Sequence, residues 1–229
     1  MTGTKFPVKL FYDIISPYSW LAFESLCKYR GLWTKMDLIL KPCSIFLLFK
    51  ESGNPPPLFN PLKSAYIAKD CSRAQKIFKV PLTFPSNFAD LAVKKGSLKA
   101  MRFVMAIDDL TNGQSTEAIS RHLWRAVFTN EPGKDITDVK VWLEAGENAQ
   151  IDKATLDKAI EQSNSETIKN KLVEQTKEAV NHGAFGLPTM IVESPDESRM
   201  LFGSDRIELL AYLIGEKYQG PCPVSKSNL

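Results

Sequence analysis

The sequence lacks the features that define several common classes of protein. Its 229 residues contain four cysteines and two histidines, with no Cys-x-x-Cys pair and no zinc-site spacing, so we expect no metal. No apolar run approaches the roughly 18 residues of a membrane span, and the first residues show no signal peptide. We therefore expect neither membrane insertion nor secretion. The net charge of +3 comes without a block of like charges, so we expect no nucleic-acid partner.

Strand and helix patterns divide the chain into three parts. Residues 1–60 alternate strand, helix and strand, and they end in the breaker Ser52-Gly53-Asn54-Pro55-Pro56-Pro57. Residues 61–182 show helical periodicity only and predict about four to six helices. Residues 183–229 return to two strands joined as a hairpin. A last helix over residues 206–218 would follow, capped by Ser204 or Asp205.

This order predicts an α/β protein with a thioredoxin-like β-α-β…β-β-α domain interrupted by a large all-helical insertion. The short β-α-β unit implies a parallel pair of strands, because a helix long enough to cross the sheet joins them. The two ends of the chain would then complete one sheet, while the middle of the chain forms a helical unit beside it.

The start of the first predicted helix is the most informative position. Residues 8–12 have a strand pattern, and Ser16-Pro17-Tyr18-Ser19-Trp20 leads into an apolar-periodic helix. Pro17 suits the first helical position, where its missing N–H needs no partner, and Ser16 suits the N-cap. A hydroxyl beside unpaired backbone N–H groups can stabilise an anion. Because Ser-Pro-Tyr-Ser contains no sulfur, sulfur chemistry at this site would need a ligand that carries it.

Two later segments are predicted to meet this helix start, since α/β sheets bind ligands beyond the carboxyl ends of their strands. One is Gly183-Ala184-Phe185-Gly186-Leu187-Pro188, with Pro188 at the first position of a strand. In thioredoxin-like folds this proline is cis, so we expect a cis bond here. The other is Gly203-Ser204-Asp205, a second helix start able to bind a carboxylate. A γ-glutamyl tripeptide suits this arrangement, with its thiol at Ser16.

The sequence resembles the kappa-class glutathione transferases, which are built on a disulfide-oxidoreductase-like thioredoxin fold and are related to 2-hydroxychromene-2-carboxylate isomerase. Five groups of residues, in order over nearly the whole chain, carry the resemblance. They are Phe11-Tyr12-Asp13 with Ser16-Pro17-Tyr18-Ser19-Trp20, Ser52-Gly53-Asn54, Gly96-Ser97-Leu98 with Ala100-Met101-Arg102-Phe103, Gly183-Ala184-Phe185-Gly186-Leu187-Pro188, and Leu201-Phe202-Gly203-Ser204-Asp205-Arg206. The resemblance implies a homodimeric, detoxifying enzyme that activates the thiol of its co-substrate glutathione for conjugation to small electrophiles, with an accompanying peroxidase activity.

The resemblance also implies which residues contact glutathione. Ser16 would stabilise the thiolate and would be the catalytic residue. Leu187 would pair its backbone with that of the ligand, next to Pro188. Ser204 and Asp205 would bind the γ-glutamyl end, with Asp205 on its ammonium group. The other glutathione contacts implied by the resemblance are Pro17, Tyr18, Asn54 and Lys63.

The sequence leaves other functions open. A glutathione-dependent cis-trans isomerase of a hydroxychromene-carboxylate substrate would need the same thiolate site. A non-catalytic thioredoxin-like binding module would have the same fold. A disulfide oxidoreductase is disfavoured, because Ser16 and Ser19 stand where that chemistry needs cysteines.

The end of the chain bears on localisation. Ser227-Asn228-Leu229 differs at its middle residue from the Ser-Lys-Leu type of peroxisomal address. Members of the kappa class reside in mitochondria or peroxisomes, and an Arg-rich presequence is missing at the N-terminus. We therefore expect a peroxisomal protein, with the mitochondrion as the alternative.

Overall fold

The computed structural model describes residues 5–194 and 196–224. In chain order, the strands and helices are β1 (Phe6–Tyr12), α1 (Pro17–Arg30), β2 (Met36–Pro42), α2 (Ile45–Ser52), α3 (Pro61–Phe78), α4 (Leu98–Thr111), α5 (Thr116–Phe128), α6 (Val139–Asn148), α7 (Lys153–Gln162), α8 (Glu166–Asn181), β3 (Thr189–Glu193), β4 (Ser198–Phe202) and α9 (Ile207–Ile214). Short 3₁₀ turns occupy Pro57–Phe59 and Ser204–Arg206, and a π turn occupies Asp90–Lys95. The predicted order of strands and helices is confirmed.

The four strands form one mixed sheet in the order β2-β1-β3-β4. β1 and β2 are parallel, with Phe6 opposite Met36, and α1 is the crossover between them. β3 is antiparallel to both β1 and β4. As predicted, the two ends of the chain complete one sheet, so the loop before β3 lies beside the loop that leads from β1 into α1.

Alternate residues of β1 enter two different cores, because successive side chains of a strand point to opposite faces. Val8, Leu10 and Tyr12 belong to the main apolar core, with residues of α1, α4, α5 and α9. Phe11 belongs to a smaller core with residues of α2 and α8. On that second face, the Lys9 ammonium group lies 2.8 Å from a Glu178 oxygen, which joins the centre of the sheet to α8. The site-forming end of β1 is therefore fixed on both faces.

Aromatic side chains join the helical segment to the sheet domain. Trp124 of α5 stacks on Trp20 of α1 with ring centroids 6.4 Å apart and meets Phe23 edge-on at 4.7 Å. The main apolar cluster runs without a break from α1 into α4 and α5. The division into residues 1–60, 61–182 and 183–229 stays a prediction, and the two units share one core.

Helix α3 is much less buried than the other long helices. Of its 18 residues, only Cys71 is fully buried. Leu62, Tyr66 and Ile77 are more than half exposed on its outer side. The helix begins at Pro61, and the Asn60 side chain caps it by accepting the N–H groups of Leu62 and Lys63. It packs mainly on α1 and forms one wall of the cavity described below.

The predicted last helix is present and starts within one residue of the predicted position, but its capping residue and its C-terminal end differ from the prediction. Ser204–Arg206 is a 3₁₀ turn, and neither the Ser204 nor the Asp205 side chain caps α9, which starts at Ile207. The helix ends at Ile214 rather than at residue 218, because Gly215 takes a left-handed conformation with φ of 68°. The apolar periodicity beyond this glycine belongs to an irregular segment.

Candidate active site

Ser16 caps α1 as predicted. Its backbone is extended, with φ of −87° and ψ of 116°, and its Oγ accepts the Ser19 N–H at 3.2 Å. Pro17 occupies the first helical position, where no N–H is needed. The Ser16 residue is only 4% exposed. The hydroxyl is thus held at the positive end of the helix, where backbone dipoles favour an anion.

The Pro188 loop meets Ser16 across the site. The Leu187–Pro188 peptide bond is cis, as predicted. The Ser16 hydroxyl donates to the Leu187 carbonyl oxygen at 3.3 Å, which is long for an O–H···O bond. The Leu187 N–H donates to no backbone group within residues 5–194 and 196–224. One edge of this loop therefore has backbone groups that an extended ligand could use.

Asn54 connects the loop after α2 to the Pro188 loop. Its Nδ2 donates to the Phe185 carbonyl oxygen at 2.7 Å. This bond bridges two segments that are 131 residues apart in sequence. The Asn54 side chain therefore orders the loop that carries Leu187, while its contact with glutathione stays a prediction.

These segments enclose a cavity of about 440 Å³. Six of the nine predicted site residues line it, namely Ser16, Pro17, Tyr18, Asn54, Lys63 and Leu187. The rest of the lining is largely apolar and includes Phe46, Phe49, Phe88, Phe185 and Phe202. Sequence patterns did not group these phenylalanines, since they come from four segments that meet only in the fold. The cavity suits a ligand with one polar end and an apolar partner.

Three predicted site residues do not line this cavity. Pro188 is buried behind Leu187. Ser204 is 7% exposed, and the Asp205 side chain is mostly exposed with an oxygen 3.2 Å from an Arg206 nitrogen. A 3₁₀ turn, Ser204–Arg206, occupies this position and leads directly into α9. The ligand-binding roles of Ser204 and Asp205 stay predictions.

Tyr18 forms part of the outer wall of the cavity and is held by α3. Its hydroxyl donates to an Asp70 oxygen at 2.8 Å. Burial, together with the hydrogen bond to the Asp70 carboxylate, raises the pKa of Tyr18 well above its ordinary value. The Tyr18 hydroxyl therefore stays protonated, and its proton points towards α3.

The cysteines are not nucleophiles of this site. All four are free, and none of them lines the cavity formed by the described residues. Burial raises the pKa of the Cys43 thiol and raises that of Cys71 to about 12. A thiolate in this cavity would have to come from a ligand.

Asp13 is a residue of the site to which sequence reasoning gave no role. It directly follows β1 and is fully buried. Its carboxylate accepts hydrogen bonds from the Ile15 N–H at 3.0 Å and from the Ile45 N–H at 2.9 Å. The Ser97 hydroxyl donates to it at 2.8 Å. Burial raises the pKa of Asp13 to about 6, although these hydrogen bonds act in the opposite direction.

Other parts of the structure offer weaker candidates. A larger depression of about 630 Å³ lies beside the edge strand β2, but Asp108 there is bonded to Thr116, and Arg30 is paired with Glu117. Within residues 5–194 and 196–224, no group of three or more His, Cys, Asp or Glu side chains could hold a metal ion. In the same part of the chain, every helix is too short or too polar to cross a bilayer.

The fold and the cavity define a thioredoxin-like protein of the DsbA type, and residues 7–215 match the family model of the DSBA-like thioredoxin domain. The chain is 42% identical over 216 residues to glutathione S-transferase kappa 1 of Rattus norvegicus, covering 94% of both proteins. Its identity to the Homo sapiens protein of the same name, and both coverages, are the same. The chain belongs to the DSBA-like thioredoxin family and, within it, to the kappa-class glutathione transferases.

A solved structure shows the same fold at lower identity. The structure of 2-hydroxychromene-2-carboxylate isomerase superimposes with a TM-score of 0.72 at 22% identity. The match covers 91% of this chain and 94% of the isomerase. This likeness supports the predicted fold class.

Proposed function

We propose that this protein is a glutathione transferase that binds glutathione in the 440 Å³ cavity and stabilises its thiolate at Ser16 for attack on small electrophiles. The observation that carries the proposal is the position of Ser16. Its hydroxyl caps a helix, faces the backbone of Leu187 and lines a cavity that contains no thiol of the chain's own. Membership of the kappa-class glutathione transferases indicates that the co-substrate is glutathione, whose thiol would occupy the position beside Ser16.

The thiol must be ionised to react. A free thiol has a pKa near 8.5, so only a few per cent is thiolate at neutral pH. A hydroxyl donor and the N-terminus of α1 favour the anion over the thiol. A decrease of about 2 in the pKa corresponds to about 2.7 kcal/mol, which is within reach of one charge-assisted hydrogen bond and a helix end.

Ligand binding would exchange hydrogen-bond partners at Ser16. In the free protein, the Ser16 hydroxyl donates to the Leu187 carbonyl oxygen at 3.3 Å. When glutathione binds, the cysteinyl N–H of the ligand would take over that carbonyl, and the Ser16 hydroxyl would turn to the sulfur. The bond that is given up is long and therefore weak, so the exchange favours the thiolate.

The remaining contacts follow the family's pattern. The Leu187 N–H would donate to the ligand backbone beside Pro188, and the Lys63 ammonium group would attract a ligand carboxylate. Asn54 would order the loop before Pro188 through its bond to the Phe185 carbonyl oxygen. Pro17 and Tyr18 would contact the ligand as part of the cavity lining. The γ-glutamyl end would extend beyond the cavity to Ser204 and Asp205, the latter facing the ligand ammonium group.

The electrophile would occupy the phenylalanine-lined part of the cavity. The thiolate sulfur would form a bond to the electrophilic carbon while the leaving group departs with its electron pair. The thiolate could instead attack a peroxide oxygen, which breaks the O–O bond, releases an alcohol or water and leaves the glutathione sulfur as a sulfenic acid. A second glutathione thiol would then reduce this sulfenic acid, forming the disulfide and water, and this sequence would give a peroxidase side activity. The large apolar lining favours aromatic or aliphatic electrophiles over charged ones.

The test measures the ultraviolet absorbance of the bound thiolate against pH in wild type and in Ser16→Ala. In the variant, we expect glutathione to bind still, the pKa of its thiol to rise, and turnover at neutral pH to fall about 10–100-fold. Ser165→Ala is the matched control, since Ser165 caps α8 far from the cavity and also accepts an N–H at 3.2 Å. A thiol pKa that is equal in wild type and Ser16→Ala would refute the role of Ser16.

A glutathione-dependent isomerase is the second candidate, because the isomerase fold superimposes on this chain. Both enzymes would need the same thiolate. Turnover of an isomerisable hydroxychromene carboxylate in preference to a chlorodinitrobenzene-type acceptor would favour the isomerase. A wild-type protein that binds glutathione without shifting its thiol pKa would instead be a binding module.

Assembly and localisation are proposals that rest on the resemblance. We expect a homodimer with a detoxifying role, which sedimentation and a survey of electrophiles would test. We also expect a peroxisomal location, with the mitochondrion as the alternative. The tripeptide Ser227-Asn228-Leu229 lies outside the described residues, and its deletion should release a peroxisomal protein into the cytosol.

A further inference from the structure

Asp13 is the one charged side chain that is fully buried among residues 5–194 and 196–224. A buried carboxylate is costly unless hydrogen bonds compensate its lost hydration. It lies at the end of β1, three positions before Ser16, and the Ser16 N–H also donates to the Asp13 backbone carbonyl at 3.0 Å. The thiol chemistry proposed above does not involve its side chain.

The Asp13 carboxylate connects three segments around the cavity. Oδ1 accepts the N–H of Ile15, which directly precedes Ser16. Oδ2 accepts the N–H of Ile45, the first residue of α2, and the hydroxyl of Ser97, which directly precedes α4. Ile45 itself lines the cavity. One side chain thus joins the Ser16 turn to the helix that forms the opposite, apolar wall.

A carboxyl group satisfies this set of partners fully, since each of its two oxygens accepts a backbone N–H. All three partners donate, and Oδ2 receives two of them, so an amide nitrogen in its place would face the Ile45 N–H. The positive ends of α2 and α4 also point at this oxygen, because their first residues supply the donors. The arrangement therefore specifies a carboxylate rather than any polar side chain of that size.

The structure assigns to Asp13 the role of a positioning residue, which fixes the distance between the Ser16 hydroxyl and the α2 wall and so aims the thiolate at the bound electrophile. This inference rests on the proposed function. Asp13 touches neither substrate. It acts through the Ile15 turn on one side and through Ile45, next to the cavity-lining Phe46 and Phe49, on the other.

The experiment compares two variants of this network. In Asp13→Asn, the single amide oxygen can accept the Ile15 N–H or the Ile45 N–H, so the amide nitrogen leaves one of these two N–H groups without its acceptor and loosens one side of the link between the Ser16 turn and α2. We expect kcat/KM for an apolar electrophile to fall about tenfold, the loss of one hydrogen bond to a charged group. The pKa of the bound glutathione thiol should not rise, because the two bonds that hold Ser16 at the start of α1, from its N–H to the Asp13 backbone carbonyl and from the Ser19 N–H to its Oγ, do not use the Asp13 side chain. Ser97→Ala removes one donor and should lower kcat/KM about threefold.

Ser120→Ala is the matched control. Ser120 is also fully buried, and its hydroxyl forms a 2.8 Å hydrogen bond to Tyr12, the neighbour of Asp13, on the face of β1 away from the cavity. It should lose stability as Ser97→Ala does and keep the wild-type kinetics. Equal kinetics in Ser97→Ala and Ser120→Ala would overturn the inference, even if Asp13→Asn does not fold.

The outcome is separable from the proposed function. If wild type shows no shifted thiolate, the proposed function fails before any variant is compared. If wild type is active and folded Asp13→Asn keeps its kcat/KM, the positioning role alone is refuted. A rise in the bound thiol pKa in Asp13→Asn would also refute it, because the substitution would then act on Ser16 rather than on the α2 wall.

Discussion

The buried carboxylate of Asp13 should make the stability of the fold depend on pH in an uncommon direction. Burial raises the pKa of Asp13 from 3.8 to about 6 in the folded chain. A group with a raised folded pKa stabilises the fold fully below its unfolded pKa, and this stabilisation disappears as the pH rises through the folded pKa. The difference of about 2 between the two pKa values corresponds to about 3 kcal/mol.

The comparison with Asp13→Asn isolates this contribution. Every other titrating group is common to both proteins, so the difference between their free energies of unfolding changes with pH only through Asp13. We expect the difference, wild type minus variant, to decrease by about 2–3 kcal/mol between pH 4 and pH 7.5. Urea denaturation followed by circular dichroism at four or five pH values would measure it.

The opposite slope would refute the reasoning. Three donors reach this carboxylate, and such hydrogen bonds alone can hold a pKa below the ordinary value. If they outweigh burial, the difference in unfolding free energy increases from pH 4 to pH 7.5. A constant difference would mean that the two effects cancel and that the folded pKa of Asp13 equals the unfolded one.

Two further substitutions test the packing around the site and in the helical segment. A Cβ added at Gly146 of α6 would lie 2.2 Å from the Leu156 Cδ2. Gly146→Ala should therefore destabilise the fold by about 1–2 kcal/mol, although alanine has the better helix propensity. Urea denaturation would measure the change, and an unchanged midpoint would contradict this packing. Asn54→Ala removes the 2.7 Å hydrogen bond to the Phe185 carbonyl oxygen. Glutathione binding should weaken about 3–10-fold, as calorimetric titration would measure. An affinity equal to that of the wild type would exclude a role for Asn54 in ordering the loop.

Local backbone chemistry is what made much of the site predictable. Ser16 at the N-cap and Pro17 at the first helical position follow from which N–H groups lack partners, and both are confirmed. The cis bond before Pro188 followed from the predicted fold, and it is also confirmed. These features depend on a few neighbouring residues, so a sequence motif carries them.

Features that depend on distant contacts were missed or wrong. Asp13 looked like an ordinary polar residue at the end of a strand, because its partners Ile45 and Ser97 are 32 and 84 residues away. The capping pattern at Ser204 and Asp205 has the right spacing for a helix start, but a 3₁₀ turn occupies that position. Local spacing cannot show how tertiary packing places the first turn.

The sparse burial of α3 means that the two sides of the cavity differ in how firmly they are held. The Ser16 side is fixed by the sheet and by a buried carboxylate, whereas α3 has one fully buried residue in 18. Segments with few buried contacts open locally at a free-energy cost far below that of global unfolding. We therefore expect the wall that carries Lys63 and Ile67 to move more readily than the Ser16 end of the cavity. The width of the cavity would then vary while the position of the reactive sulfur stays constant. Electrophiles of different size would thus reach the same sulfur atom.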